Sequence, residues 1–263
     1  GRVTRFVAGD AVASWPLLPP TPAGVVDAVG CGGGGGARVL PRSPTMSTAT
    51  IVSVHSARTV TLYDAAKAVA TATTIHPPHD VAEVGRDATL VAVAEGEQLS
   101  VWDLGRTNAP VARVAVGVGH LRTVARDASG TVLVGGDERT VYCLNPKTWR
   151  IDTAWPGALK YGVGTVLPSA RREGTVFAAG YSDAELSEGC WRKGSVRVSR
   201  MASTTRCQGD ARWIGLARSP AEDHILGLTA AGSLYIYRNL FKRSEPAAAP
   251  PEAAAAGAPA ATD

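Results

Sequence analysis

Cysteine and long apolar runs are scarce in this sequence, and each scarcity excludes a class of protein. The four cysteines, Cys31, Cys143, Cys190 and Cys207, form no C-x-x-C pair, which argues against a zinc knuckle and against a disulfide-stapled secreted scaffold. They read as reduced thiols. No stretch approaches the roughly 20 apolar residues of a bilayer-spanning helix, and the opening residues lack the order of a signal peptide. The expectation is a soluble intracellular protein, cytoplasmic or nuclear and not secreted, with no membrane insertion. A dominant charge is missing too: 27 Lys+Arg stand against 23 Asp+Glu, a net +4. That is too mild for a phosphate-binding surface spread over the whole molecule.

What the sequence does have is apolar residues and turn formers. Hydrophobic residues make up 45% of its 263 positions, enough for a sizeable core, and Gly 29 with Pro 17 supply many chain reversals. This favours many short strands over a few long helices. Period-two segments recur as Val12–Trp15, Val60–Asp64, Leu99–Leu104, Thr140–Leu144, Ser195–Ser199 and Ser233–Tyr237. Each reads as a strand, and most neighbours are spaced at about 40 residues, the length of a repeat unit. A second apolar run ending in a Gly/Asp turn precedes most of them, at Phe6–Asp10, Leu90–Gly96, Val132–Asp137, Val176–Gly180 and Ile225–Thr229. A further strand lies before that, as at Val81–Val84, Arg122–Ala125 and Ile214–Ala217, and an outer one fits Ala68–Ile75, Val111–Val116 and Trp149–Ala154. Four antiparallel strands per unit of about 40 residues describe the blade of a β-propeller.

Val101-Trp102-Asp103-Leu104 resembles the Trp-Asp ending of a WD40 repeat, and Gly119-His120 resembles the Gly-His that opens the next. Tyr63-Asp64 sits at the same place in its unit. The resemblance spans residues 1–240, with the third and fourth units matching best. It implies an all-β WD40-like β-propeller of six recognisable blades, seven in the intact protein. It also implies structural roles inside a blade for His79, Trp102, Asp103, His120 and Asp137, the histidine rings hydrogen-bonding within their blades. The chain starts inside a blade, so a closing strand is expected upstream of Gly1. Two segments break the period. Residues 19–45, with Gly32 to Gly36 consecutive, are expected to be a flexible insertion. Residues 181–194 are expected to be a loop inserted between the second and third strands of the fifth unit. Past residue 240 the Pro/Ala-rich tail, 241–263, is expected to be disordered.

Several constellations invite a catalytic or metal reading. His76-Pro-Pro-His79-Asp80 offers two imidazoles and a carboxylate within five residues, but zinc needs three or four convergent ligands and no further one is evident. His120 and Asp137 could pair with Ser129 or Cys143 as nucleophile, yet a triad is defined by geometry, and their repeat positions favour structural roles. No metal, cofactor, catalytic residue or small-molecule substrate is therefore expected, and not an enzyme. Ala170-Arg171-Arg172-Glu173-Gly174 departs from the Phe/Leu-Arg-Arg-Gly motif of phosphoinositide-binding propellers at its first position, and a glutamate precedes its glycine.

Positive charge gathers in one region: residues 145–218 carry twelve Lys/Arg against six Asp/Glu. Trp191 beside Arg192 and Lys193 resembles an anchor with a cationic rim, a combination enriched at interaction hot spots. Together with Arg171 and Arg172 these are the expected partner-binding residues. The function expected is a non-catalytic scaffold that binds other protein subunits within a larger assembly. The alternative is a ribonucleoprotein subunit touching RNA through the basic fifth blade by stacking and phosphate contact.

Overall fold

A computed structural model describes residues 2–7, 10–16, 37–40, 50–55, 58–64, 67–84, 90–103, 105–169, 171–190, 207–219 and 224–237. They contain strands and no helix, arranged in chain order as six antiparallel sheets. The first pairs β1 (Arg2–Val7) with β2 (Asp10–Pro16). The second holds β3 (Ala37–Leu40), β4 (Thr50–His55), β5 (Thr59–Asp64) and β6 (Lys67–Thr73). The third holds β7 (Pro78–Glu83), β8 (Leu90–Glu95), β9 (Gln98–Asp103) and β10 (Ala112–Ala115). The fourth holds β11 (Leu121–Arg126), β12 (Val132–Gly136), β13 (Val141–Leu144) and β14 (Ile151–Trp155). The fifth holds β15 (Val163–Pro168), β16 (Thr175–Gly180), β17 (Glu185–Cys190) and β18 (Cys207–Gln208). The last holds β19 (Trp213–Arg218), β20 (Ile225–Thr229) and β21 (Leu234–Tyr237). In each sheet, strands adjacent in sequence are adjacent in space and antiparallel.

The sheets stack through their faces. Successive first strands β7, β11, β15 and β19 contact one another in order, and β4 packs on β7. One apolar cluster fills each of the four gaps between the last five sheets. Alternation within the second strands directs this packing, because neighbouring residues of a strand point to opposite faces. On β8, Val91 and Val93 join the cluster shared with the preceding sheet, whereas Ala92 and Ala94 join the one shared with the following sheet. On β16 the same division separates Val176 and Ala178 from Phe177 and Ala179. Strands buried on both faces must be continuously apolar, which is how these segments read.

Three expectations are corrected. The third strand of the fifth sheet is β17, paired with β16 from Thr175↔Cys190 to Ala179↔Leu186. Residues 185–190 are therefore strand, within the segment read as the 181–194 loop insertion. Ser195–Ser199 lies outside the described residues. The ladder tolerates a carboxylate at Glu188 because Arg172 pairs with it from the neighbouring hairpin. Residues 37–40, read as part of the 19–45 insertion, are strand β3, and Thr50–His55 supplies a second strand that the sequence reading passed over. The remainder of 19–45 and the 241–263 tail lie outside the described residues.

Candidate functional site

The antiparallel order gathers the start of each first strand and the hairpin between second and third strands at one end of the stack. The turns between first and second strands gather at the other.

At the first end a β-bulge recurs. The pairing of first with second strand slips between Pro78 and Asp80, Leu121 and Thr123, Val163 and Thr165, and Trp213 and Gly215. The extra residues are His79, Arg122, Gly164 and Ile214, and a bulge re-aims the side chain it carries. Arg122 is held twice: its Nε lies 2.5 Å from Asp137 Oδ1, and its guanidinium stacks 3.7 Å from the ring centroid of Tyr181 in the next sheet. His79 meets His120 edge to face, with 6.2 Å between centroids, and its buried Nδ1 has no hydrogen-bond partner among the described residues. Burial, then the charges of Arg122 and His120, push the His79 imidazole below its ordinary pKa. The neutral ring is the favoured form.

These contacts place the residues carried over from the resemblance. Asp137 does tie its hairpin to the first strand of its own sheet, but through Arg122; towards His120 it offers only its backbone amide, 2.9 Å from the His120 carbonyl. That contact requires glycine at position 136, where an added Cβ would stand 2.1 Å from the same carbonyl oxygen. The Trp102 indole is buried and donates to Ser100 of its own strand at 2.9 Å. Asp103 closes a turn by accepting from the Gly105 amide at 2.8 Å.

The other suspected chemistry is dispersed. Asp80 accepts from Thr123 and Val124 of the next sheet. Among the described residues no group of three or more His, Cys, Asp or Glu is placed to hold a metal ion. Ser129 bonds Asp127 and Thr131 at the opposite end from His120 and Asp137. Burial, with Asp127 and Asp152 adding repulsion, pushes the Cys143 thiol up to about 12, far from a reactive thiolate.

The second end carries a cleft of about 320 Å³ between adjacent turns, lined by Asp127, Ser129, Ser169, Arg171, Arg172 and Glu173 among others. Ser169 shapes one wall: its hydroxyl accepts from the Arg171 and Arg172 amides at 3.2 and 2.8 Å, curling the turn so that both arginines border the opening. Arg172 pairs with Glu188 and lies over Phe177, while Arg171 is exposed. Asp127 forms the facing wall, with Oδ1 accepting from the Thr131 amide at 2.8 Å and Oδ2 buried without a hydrogen-bond partner among the described residues. The structure thus brings Arg171 and Arg172 together with Asp127 and Ser129, which sequence reasoning had placed elsewhere. Trp191, Arg192 and Lys193 lie outside the described residues.

A set of glutamates went unread in the sequence. Glu95 accepts from the Ile75 and His76 amides at 2.8 and 3.0 Å, Glu138 from the Val118 amide at 2.6 Å and Glu185 from the Lys160 amide at 2.7 Å. Each caps the loop that leads into the first strand of its own sheet. Their recurrence around the hairpin between the second and third strands was the available signal.

No protein-family model matches this chain, and no curated protein matches it. Among the described residues no helix is long and apolar enough to cross a membrane.

Proposed function

We propose that the chain is a WD40-like β-propeller subunit that acts as a non-catalytic platform for partner proteins in a larger assembly. The observation carrying this reading is the cleft where Arg171 and Arg172 face Asp127 and Ser129 across two neighbouring turns. Rigid sheets supply its walls, and turns on a rigid scaffold are where binding residues concentrate. Its size sits at the lower end of small-ligand sites, roughly 300–1,000 Å³, and suits one or two side chains of an extended partner segment better than a cofactor. An acidic side chain would meet Arg171, and a donor group would meet Asp127. The acidic residues Asp127 and Glu173 in the same lining weigh against a phosphate backbone as the occupant.

The test is affinity purification of the tagged chain beside its Arg171→Glu variant, with and without nuclease. Recovery of a defined set of proteins, insensitive to nuclease and lost with Arg171→Glu, is the expected result. Identical recovery by both forms would move the interface elsewhere. Loss on nuclease treatment, with a steep salt dependence of binding, would favour the RNA-binding alternative.

A further inference from the structure

The two carboxylate oxygens of Asp127 are used unequally. Oδ1 takes two donors from its own turn, the Ser129 hydroxyl at 2.7 Å and the Thr131 amide at 2.8 Å. Oδ2 is buried and has no hydrogen-bond partner among the described residues. Asp127 as a whole is only 8% exposed, and a charged acceptor left unsatisfied away from water is costly. The residue lines the cleft of about 320 Å³. Ser129, whose hydroxyl is the one side-chain group bonded to this carboxylate among the described residues, is itself exposed. The cleft also has a sign. Arg172 is paired with Glu188, and Arg171 is matched by Glu173, both exposed in the same lining. Asp127 is the charge left over, so two cations stand against three anions and the site is negative by one.

We infer that the cleft takes a lysine side chain of the partner protein, whose ammonium donates to Asp127 Oδ2. This rests on the cleft being the partner site and names the side chain that enters it. The uncompensated negative charge selects a cation over a neutral amide or hydroxyl donor. The state of the carboxylate then selects lysine over arginine. A guanidinium presents a planar fork that matches both oxygens of a carboxylate, whereas an ammonium is a compact point donor. Oδ1 already serves two donors, so one oxygen remains and the fork has no second acceptor. A metal ion is a poorer occupant, because no group of three or more His, Cys, Asp or Glu converges among the described residues.

Amide NMR of the full 263-residue chain tests this with the N-acetyl, N′-methylamide derivatives of lysine, arginine and norleucine, the last having lysine's stem without its ammonium. The lysine probe is expected to shift the amides of 127–131 and 169–175 and to saturate in the millimolar range, while the norleucine probe shifts neither turn. Asp127→Asn, which keeps an acceptor for Ser129 and Thr131, should weaken the lysine probe roughly tenfold, the loss of one charge-assisted bond. Should that variant's own spectrum show an altered fold, Glu173→Gln replaces it, with a loss of about two- to threefold from one exposed charge. Equal binding of norleucine, tighter binding of arginine or unchanged affinity in the variant overturns the inference. So does the absence of shifts at both turns. If affinity purification still loses its proteins with Arg171→Glu, the cleft remains the partner site and only its preference for lysine fails. If recovery is unchanged as well, both readings fail.

Discussion

Asp80 on β7 holds Thr123 on β11: the aspartate Oδ2 accepts from the Thr123 hydroxyl at 3.2 Å and from the adjacent Val124 amide at 2.9 Å. The same threonine oxygen accepts the Val166 amide of β15 at 3.3 Å. One hydroxyl thus links three consecutive sheets along their first strands, where the stack has no shared backbone ladder.

Replacing Thr123 by valine keeps its β-branched shape and removes both bonds. The residue is 2% exposed, so the Val166 amide loses its side-chain acceptor in a dry environment. A loss of about 1–3 kcal/mol follows from leaving a buried donor unsatisfied. Urea unfolding should show a lower midpoint at unchanged slope.

Glu95 is fully buried and uses one carboxylate oxygen for two backbone amides. Hydrogen bonds to a charged group contribute about 1.5–3 kcal/mol each, so Glu95→Ala should destabilise by roughly 3 kcal/mol, while Glu95→Gln, which keeps an acceptor, should cost less than half of that. Equal costs for the two substitutions in thermal or urea unfolding would contradict the capping role.

His79 should make stability depend on pH on the acid side of neutrality. Its folded pKa is lowered, by burial first and then by Arg122 and His120, so below its ordinary value of about 6.5 the unfolded chain binds the proton more readily than the folded one. Stability contributed by the neutral ring is full above that value and is lost as pH falls towards the lowered folded value. His79→Gln should flatten the pH dependence of the unfolding midpoint in that window. An unchanged slope would show that the ring is accessible to protons in the folded state.

Cys143 and Cys207 are buried thiols pushed up to about 12 and about 11, in both cases chiefly by burial. Thiolate is the reactive form, so iodoacetamide at neutral pH should leave both unmodified in the native protein and alkylate both in urea. Peptide mass mapping resolves each site. Rapid native labelling of Cys143 would mean that the gap between the fourth and fifth sheets opens readily.

The sequence was legible where a strand's surroundings are uniform. Leu90–Glu95 and Val132–Gly136 are apolar on both faces because sheets cover both, and that composition shows without any structure. It misled where a charge is neutralised from afar. Glu188 sits inside a buried ladder because Arg172, sixteen residues earlier, reaches it from the adjoining hairpin, and no local pattern encodes that contact. Likewise His79 reads as a repeat residue and Arg122 as the start of a strand, but their shared position on a recurring bulge emerges only from the strand register.

By itself, then, the sequence determined that the chain is built of short antiparallel strands repeating at about 40 residues, because alternation and turn chemistry are local properties. Only the tertiary structure decided which polar groups meet. Asp80 accepts from Thr123, the Asp137 carboxylate accepts from Arg122, and Arg171 comes to face Asp127, because each partner arrives from another strand or another sheet. It also decided that Leu226, Leu228, Leu234 and Ile236, apolar like any core strand, face outward: burial depends on what packs alongside, and a strand's own residues do not specify that neighbour.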